Sequence, residues 1–372
     1  MLGFGKKTAI GLDISSDSVK LVELMKKGNK IVLLNIGMAK IPKPETLSES
    51  KTLKFDQENT IPIISNLLKR CKSRYVVTSV PCGEFVVIKH LKLPVATEKE
   101  LRESIKFEAD EHIPFSAEEV EIDFEIIGEV YENKETLMEV LLVAVKKDIV
   151  NQYQEIIKKV GFKTDIISVD TFSLRDTWDF QKGVNDNEVV ALIDIGAKTT
   201  SINVVEKSKS HFNRVIHLGG NDFTEALART LRLSLEEAED LKISKGKVPS
   251  PFEDVEVAAM NISVITEDES MLLFSAINSV VNRLMNEIMR SFSYYYTQLK
   301  KEGIERIILG GGGAKLLNID DYLANGLGMP VDKISFFDKL EIDFDQIKKD
   351  EVYLQDPIYA VSFGLALRGL NL

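Results

Sequence analysis

Two aspartates stand 181 residues apart in turns of similar make-up, Gly11-Leu12-Asp13-Ile14-Ser15-Ser16 and Ile193-Asp194-Ile195-Gly196-Ala197, and a run of glycines, Gly310-Gly311-Gly312-Gly313, follows later. Each aspartate closes an apolar stretch, Ala9 to Leu12 and Val189 to Ile193. Small polar residues and a further apolar run come next, which predicts strand, tight turn, strand. A turn of Gly, Ser and Thr can aim backbone N–H groups and hydroxyls at phosphate oxygens while its carboxylate holds a hydrated Mg²⁺. Two such turns face to face would grip a phosphate chain from both sides. One Asp-Ile-Gly turn alone reads as an ordinary hairpin; the pair, with the later glycines, carries the nucleotide reading.

The elements that must position these turns alternate between strand and helix. Residues 8 to 36 read as two or three strands around the first turn, and Pro42 to Asn59 is a polar connection. Ile61, Ile64, Leu67 and Leu68 recur at helical spacing, and Tyr75 to Val80 is a buried-type strand. A second unit starts near Leu91-Lys92-Leu93-Pro94, with a helix around 97–112, strands near 120–128 and 136–145, a helix over 147–160 and a strand over 164–169. From Val189 the phosphate-turn pattern restarts as in a duplicated half, which places a ligand in the cleft between halves. Val281, Leu284, Met285, Ile288, Phe292, Tyr295 and Leu299 predict one apolar helix face. The proline-marked stretch from Val248 to Asp268 reads as a surface loop.

A chain of 372 residues with 44% hydrophobic and 28% charged residues can bury a large core and is expected to divide into domains. Its 47 basic and 58 acidic side chains leave a net charge of −11, which argues against nucleic acid as a partner and against a general attraction to anionic lipid. Cys71 and Cys82 fit a reducing compartment and have no metal or redox spacing. His90, His112, His211 and His217 lack mutual ligand spacing, so no metal beyond Mg²⁺ is expected. Met1 to Lys7 contains no secretory h-region, no stretch reaches about 18 apolar residues, and Leu365 to Leu372 is too short for an amphipathic anchor. The expectation is a cytoplasmic protein with no direct membrane insertion.

The order of Gly11-Leu12-Asp13, Asp194-Ile195-Gly196, Gly310 to Gly313 and a C-terminal helix through Tyr359-Ala360-Val361 and Leu365-Ala366-Leu367 resembles the ATPase superfamily of actin, the large heat-shock chaperones and FtsA. Within it, the chain is similar to the PilM family of type IV pilus assembly. The most specific segments are Ser18 to Leu24, Phe107-Glu108-Ala109 to Ile113-Pro114-Phe115, and Leu141 to Lys147. The resemblance implies an α/β, actin-like ATPase fold of two ribonuclease-H-like halves with an FtsA-type inserted small subdomain. Residues 1–91 and 168–188 would form the first half, 92–167 the insert and 189–372 the second half. It also implies ATP and Mg²⁺ as cofactors. Ser15, Ser16 and Ser18 would bind phosphate with Lys20 nearby; Gly196, Lys198, Thr199 and Thr200 would do so from the second turn; Asp13 and Asp194 would hold Mg²⁺ through water. Gly310, Gly311, Gly312 and Gly313 would touch adenosine and phosphates, since missing side chains admit close approach. Gly219 and Gly220 open a helix whose N-terminus suits an anion. Glu239 and Lys242, three apart on one helix face, match positions that contact ribose and adenine, or else form a solvated ion pair.

Hydrolysis would need a residue that positions water, and the matching position is Asp170, a candidate catalytic carboxylate that reads equally as a helix N-cap. Ser15 replaces a usual glycine and Asp17 adds negative charge to the first turn, features expected to weaken nucleotide affinity or leave it dependent on Mg²⁺, and slow or absent turnover is expected. The resemblance further implies a cytoplasmic scaffold, peripheral to the inner membrane. It would bind the N-terminal cytoplasmic peptide of a PilN-like single-span protein, with other pilus motor or platform proteins as further partners. The groove is expected among Tyr75 to Val80, Phe85 to Ile88, Leu91, Leu93 and Pro94, beside a helix carrying Leu101, Ile105 and Ala109. The rival readings are an FtsA- or MreB-like filament-forming ATPase, a small-molecule kinase, for which no acceptor motif is evident, and a heat-shock chaperone, for which the chain holds no peptide-binding domain.

Overall fold

The computed structural model describes residues 8–42, 57–132, 134–182, 188–248, 267–298, 303–343, 347 and 356–371. Most of the connection from Pro42 to Asn59 and of the loop from Val248 to Asp268 lies outside them, as do Met1 to Lys7 and Leu299.

The apolar run at the start of the chain forms β1 (Thr8–Ile14), which pairs antiparallel with β2 (Ser18–Lys27), and β2 pairs antiparallel with β3 (Lys30–Lys40). On the other side of β1 lie β4 (Tyr75–Val80) and β8 (Lys163–Val169), both parallel, giving the order β3-β2-β1-β4-β8. The second sheet repeats this plan. Its strands β9 (Val190–Ile195), β10 (Thr200–Glu206), β11 (Lys209–Ile216), β12 (Arg306–Gly310) and β13 (Val331–Lys333) run in the order β11-β10-β9-β12-β13, with the same antiparallel hairpins and parallel flank. Equal topology places Asp13 and Asp194 at equivalent strand ends. β1 and β9 read as nearly continuous apolar runs because each is covered on both faces.

The helix α9 (Asp356–Gly369) is buried nearly all round, as its Ala, Ser, Gly and Leu content demands. It lies so close to β1 that a Cβ on Gly11 would sit 1.9 Å from the Ser362 carbonyl. It also packs on α4 (Asp170–Lys182), with the Thr177 hydroxyl donating to the Ala360 carbonyl at 2.6 Å. Thus α9 and the short β14 (Glu341–Ile342), which pairs with β3, complete the first sheet's layer although they come last in sequence. In the second half α5 (Gly220–Leu231) packs on the long α7 (Glu267–Gln298). Val281, Leu284, Ile288, Phe292 and Tyr295 enter that core as the spacing predicts, and Met285 packs at its margin.

A third sheet, β5 (Val86–Pro94), β7 (Glu135–Lys146) and β6 (Val120–Glu132) in the order β5-β7-β6, carries α2 (Glu98–His112) against its face. Its membership differs from the span 92–167. β5 starts at Val86, because β4 turns into it within five residues. α3 (Lys147–Lys159) belongs with the first sheet, since its Ile149, Tyr153, Ile156 and Ile157 pack with Ile10 and Leu12. The capping box of α2 is complete: Thr97 and Glu100 bond each other's backbone N–H groups.

Candidate functional site

The antiparallel register of β1 and β2 places Lys20 opposite Asp13, and the ammonium donates to the Asp13 carboxylate at 2.7 Å. Burial works to lower the Lys20 pKa, but Asp13, aided by Asp194 and Asp170, raises it above the ordinary lysine value. Lys20 is therefore a partner of the carboxylates at the base of the cleft. The first turn is closed on itself: the Ser15 N–H and hydroxyl both donate to the Ser18 carbonyl, at 3.0 and 2.9 Å, while Ser16 stays exposed.

The second turn is braced from outside. The Gly220 and Asn221 N–H groups donate to the Gly196 and Ala197 carbonyls at 2.9 and 2.8 Å, so the start of α5 is tied to the turn. Gly219 is required by this contact, since a Cβ there would sit 2.7 Å from the Gly196 carbonyl oxygen. The Gly196 N–H closes the turn on the Thr199 carbonyl, and the Thr200 hydroxyl donates to the Leu218 carbonyl at 2.8 Å, leaving Lys198 as the exposed side chain. Gly310 pairs with Asp194 across β12 and β9. Gly311 has φ +81°, and its Cβ would lie 2.3 Å from the Asp194 carboxylate. Gly313 packs on Ile195 in the same way, whereas Gly312 faces open space.

Asp170 opens α4 beneath these turns, half-buried, with a buried Oδ1 that lacks a hydrogen-bond partner among the described residues. Burial first, then Asp13 and Asp194, push its carboxyl up to about 8, against the pull of the Ser79 hydroxyl and Lys20. Asp194 is pushed up to about 6 by burial and Asp13, against Lys20. Three carboxylates thus converge around one ammonium, an excess of negative charge that a hydrated divalent cation would offset. Among the described residues no three His, Cys, Asp or Glu side chains are placed to hold a metal ion.

Glu239 and Lys242 lie on α6 (Leu235–Lys245), and both reach back to α5. The Lys242 ammonium donates to Glu239, the Thr224 hydroxyl and the Gly220 carbonyl at 2.7, 2.9 and 3.0 Å. Burial works to raise the Glu239 pKa, but Lys242 and Thr224 hold it low, and Lys40 at the end of β3 adds its attraction. A cation of the first half therefore acts on a carboxylate of the second. Lys40 carries no motif and is invisible to spacing arguments.

A cavity of about 230 Å³ lies where the third sheet meets both halves. Val86, Val87 and Ile88 of β5 line one wall; Asn213, Arg214 and Val215 of β11 line the other; Cys82 and Thr171 close the end toward Asp170. β5 and β11 are edge strands of their sheets, so the cavity runs between two edges. The Asn213 side-chain amide nitrogen is buried there with no hydrogen-bond partner among the described residues, although Thr171 donates to its oxygen at 3.3 Å. Of the residues expected at a groove, Val86 to Ile88 line this space. Leu91, Leu93, Leu101, Ile105 and Ala109 instead form the buried core of the third sheet and α2, because β5 alternates and these side chains face α2.

The model of the family described as type IV pilus assembly protein PilM matches residues 11–370. Among solved structures, a PilM–PilN type IV pilus biogenesis complex is 27% identical over 97% of this chain and 98% of that chain, with a TM-score of 0.79. MreB5 of Spiroplasma citri bound to ADP is 15% identical over 96% and 95% of the two chains with a TM-score of 0.52, a likeness of fold alone. The cell division protein FtsA of Pseudomonas aeruginosa is 26% identical over 191 residues, 49% of this chain and 42% of that protein, so the match spans less than half the length of this curated relative. The fold is that of the actin-like ATPases, as the duplicated strand order requires.

Proposed function

Because the chain belongs to the PilM family of type IV pilus assembly proteins, we propose that it is a nucleotide-holding cytoplasmic scaffold that receives the N-terminal cytoplasmic peptide of a PilN-like inner-membrane protein. The observation that carries this reading is the likeness, over nearly the full length of both chains, to the PilM of a PilM–PilN complex. The peptide is placed in the cavity between β5 and β11, where apolar side chains and two sheet edges suit an extended segment. The protein lies at the inner membrane through that partner, with other pilus motor or platform proteins as further contacts. No helix among the described residues is long and apolar enough to cross a membrane.

The nucleotide, ATP, lies between the turns at Ser15 to Ser18 and Gly196 to Thr199, with Gly312 open to the adenosine side. Asp13 and Asp194 hold Mg²⁺ through water, and the cation supplies charge neutralisation for the phosphates. Asp170, whose carboxyl burial and Asp13 push up in the free protein, is the candidate that would orient water. Turnover is slow or absent in this reading, and the nucleotide holds the two halves together. The units are a first half on β1–β4, α3, β8, α4 and α9, an insert on β5, α2, β6 and β7, and a second half on β9–β13.

Fluorescence anisotropy with a labelled N-terminal cytoplasmic peptide of a PilN-like partner tests the scaffold reading. Ile88→Asp is expected to weaken binding by at least about tenfold, as a buried charge without a partner would, while Ile88→Val and the thermal unfolding of both variants stay near wild type. Unchanged affinity in Ile88→Asp would remove the peptide from this cavity.

A further inference from the structure

The net charge of −11 conceals a separation. Residues 86–146, the third sheet with α2, hold 15 Asp and Glu against 7 Lys and Arg, a net −8, which leaves only −3 for the rest of the chain. At the start of β4 the balance reverses. Lys69, Arg70, Lys72 and Arg74 are four cations in six residues, all exposed, on the approach to that strand. The parallel pairing of β4 and β8 sets Tyr75 beside Lys163, and the Lys163 N–H donates to the Arg74 carbonyl at 2.9 Å. This brings in the exposed Lys158 and Lys159 from the end of α3. Lys26 and Lys27 join them from the end of β2, because β1 starts at Thr8 opposite Met25 and runs parallel to β4. Nine exposed cations therefore gather at one end of the first sheet. The exposed carboxylates on the same segments are Glu155 and Asp165.

We propose that this basic end is an electrostatic seat for an anionic membrane surface. The acidic insert leaves the opposite end of β4, where Val80 leads through a short turn into Val86, so the molecule carries its positive and negative charge at the two ends of one strand. Near a negatively charged leaflet such a distribution orients the protein, with the basic end toward the lipid and the insert away from it. The cavity lies elsewhere, at the β5–β11 junction, and the basic end is built from turns and element termini, which suits a delocalised partner. Tyr75, 43% exposed between Arg74 and Lys163, adds a ring of the kind that sits at headgroup level. Four of the cations lie at helix C-termini, Lys158 and Lys159 in the last turn of α3 and Lys69 and Arg70 just past the helix that ends at Leu68; the other five, Lys26, Lys27, Lys72, Arg74 and Lys163, have no such role. The choice of a membrane among anionic partners rests on the membrane-bound partner proposed above.

Vesicle co-sedimentation of the full chain, without peptide, tests the proposal. Binding is expected to vesicles containing phosphatidylglycerol and not to pure phosphatidylcholine, and to be lost as salt rises to about 0.5 M, where the Debye length falls to a few ångström. Lys69→Glu/Lys158→Glu/Lys163→Glu should weaken partitioning at least about tenfold, since each basic residue contributes roughly a several-fold factor. Glu103→Lys/Glu111→Lys, on the exposed face of α2, should leave it unchanged or raise it. Equal binding to neutral vesicles, or no effect of the triple reversal, would overturn the proposal. So would salt-sensitive self-association in sedimentation velocity, abolished by either reversal and without vesicle binding, which would assign the basic end to the acidic insert of a second copy. Peptide anisotropy on the same variants separates the two readings: loss of vesicle binding with peptide affinity intact bears on the basic end alone.

Discussion

Five strands of each large sheet share one order, yet the aspartate turns of the two sheets are stabilised by different means. In the first half Asp13 is neutralised by Lys20 from the neighbouring strand, and the turn closes through Ser15 and Ser18. In the second half Asp194 has no cation at bonding distance among the described residues. Its turn is held by the start of α5 and by glycines that press against it. The difference teaches that one topology can place two carboxylates symmetrically while leaving only one of them uncompensated. The charge that invites a cation sits mainly on Asp194, whereas Asp13 is paired with Lys20 inside the first half.

The comparison breaks most visibly through stability. Asp13→Ala leaves the nearly buried Lys20 ammonium without its partner and is expected to cost about 3–5 kcal/mol, read as a lower urea midpoint. Adding Lys20→Met should recover much of the loss. Equal losses from Asp13→Ala and Asp194→Ala would erase the distinction between the halves. Next comes Gly311→Ala, which forces a left-handed φ on alanine and drives its Cβ toward the Asp194 carboxylate, at an expected cost of about 1–3 kcal/mol. Gly312→Ala, facing open space, should change stability by less than about 0.5 kcal/mol.

A smaller effect sharpens how the halves meet the insert. Glu125 of β6 accepts from Arg175 of α4 at 2.9 Å and from Lys209 of β11 at 2.7 Å, so one carboxylate links all three units. Burial raises its pKa, but Arg175 and Lys209 more than offset this and hold it below the ordinary glutamate value. With the folded pKa depressed, the stabilisation is present above the unfolded pKa of about 4.3 and is lost as pH falls through the folded value. Glu125→Gln is expected to cost about 1 kcal/mol at neutral pH and to flatten the acid limb of a stability-versus-pH curve. The smallest stability effect belongs to Asp194→Asn. Its folded pKa of about 6 is raised, so its ionisation costs stability as pH rises from the unfolded value through about 6, and removing the charge should leave stability at neutral pH unchanged or slightly higher.

Much of the fold was legible because the apolar runs around Asp13 and Asp194 and the later glycines keep their order whatever the loops do. Nearest-neighbour patterning could not show that Lys20 lies across a hairpin from Asp13, although the short turn between them fixes that register. Nor could it separate the two faces of β5: Leu91 and Leu93 look like groove residues in sequence, but they point to α2 while Val86 to Ile88 reach the cavity. Thr200 reads as a phosphate ligand by its place after glycine and lysine; its hydroxyl instead finds the Leu218 carbonyl, 18 residues on, which only the folded hairpin brings near. The net charge was the least informative quantity, because a single number averages over an acidic insert and a basic sheet end.

The most direct test of the clamp is nucleotide retention. Wild type and Asp194→Asn are each incubated with Mg-ATP, desalted, denatured and analysed by chromatography for the nucleotide released. Near-stoichiometric, largely intact ATP from wild type and little from Asp194→Asn, with both proteins equally folded, is the predicted result. Equal retention by the two proteins, or none by wild type, would contradict a nucleotide held between the two aspartate turns.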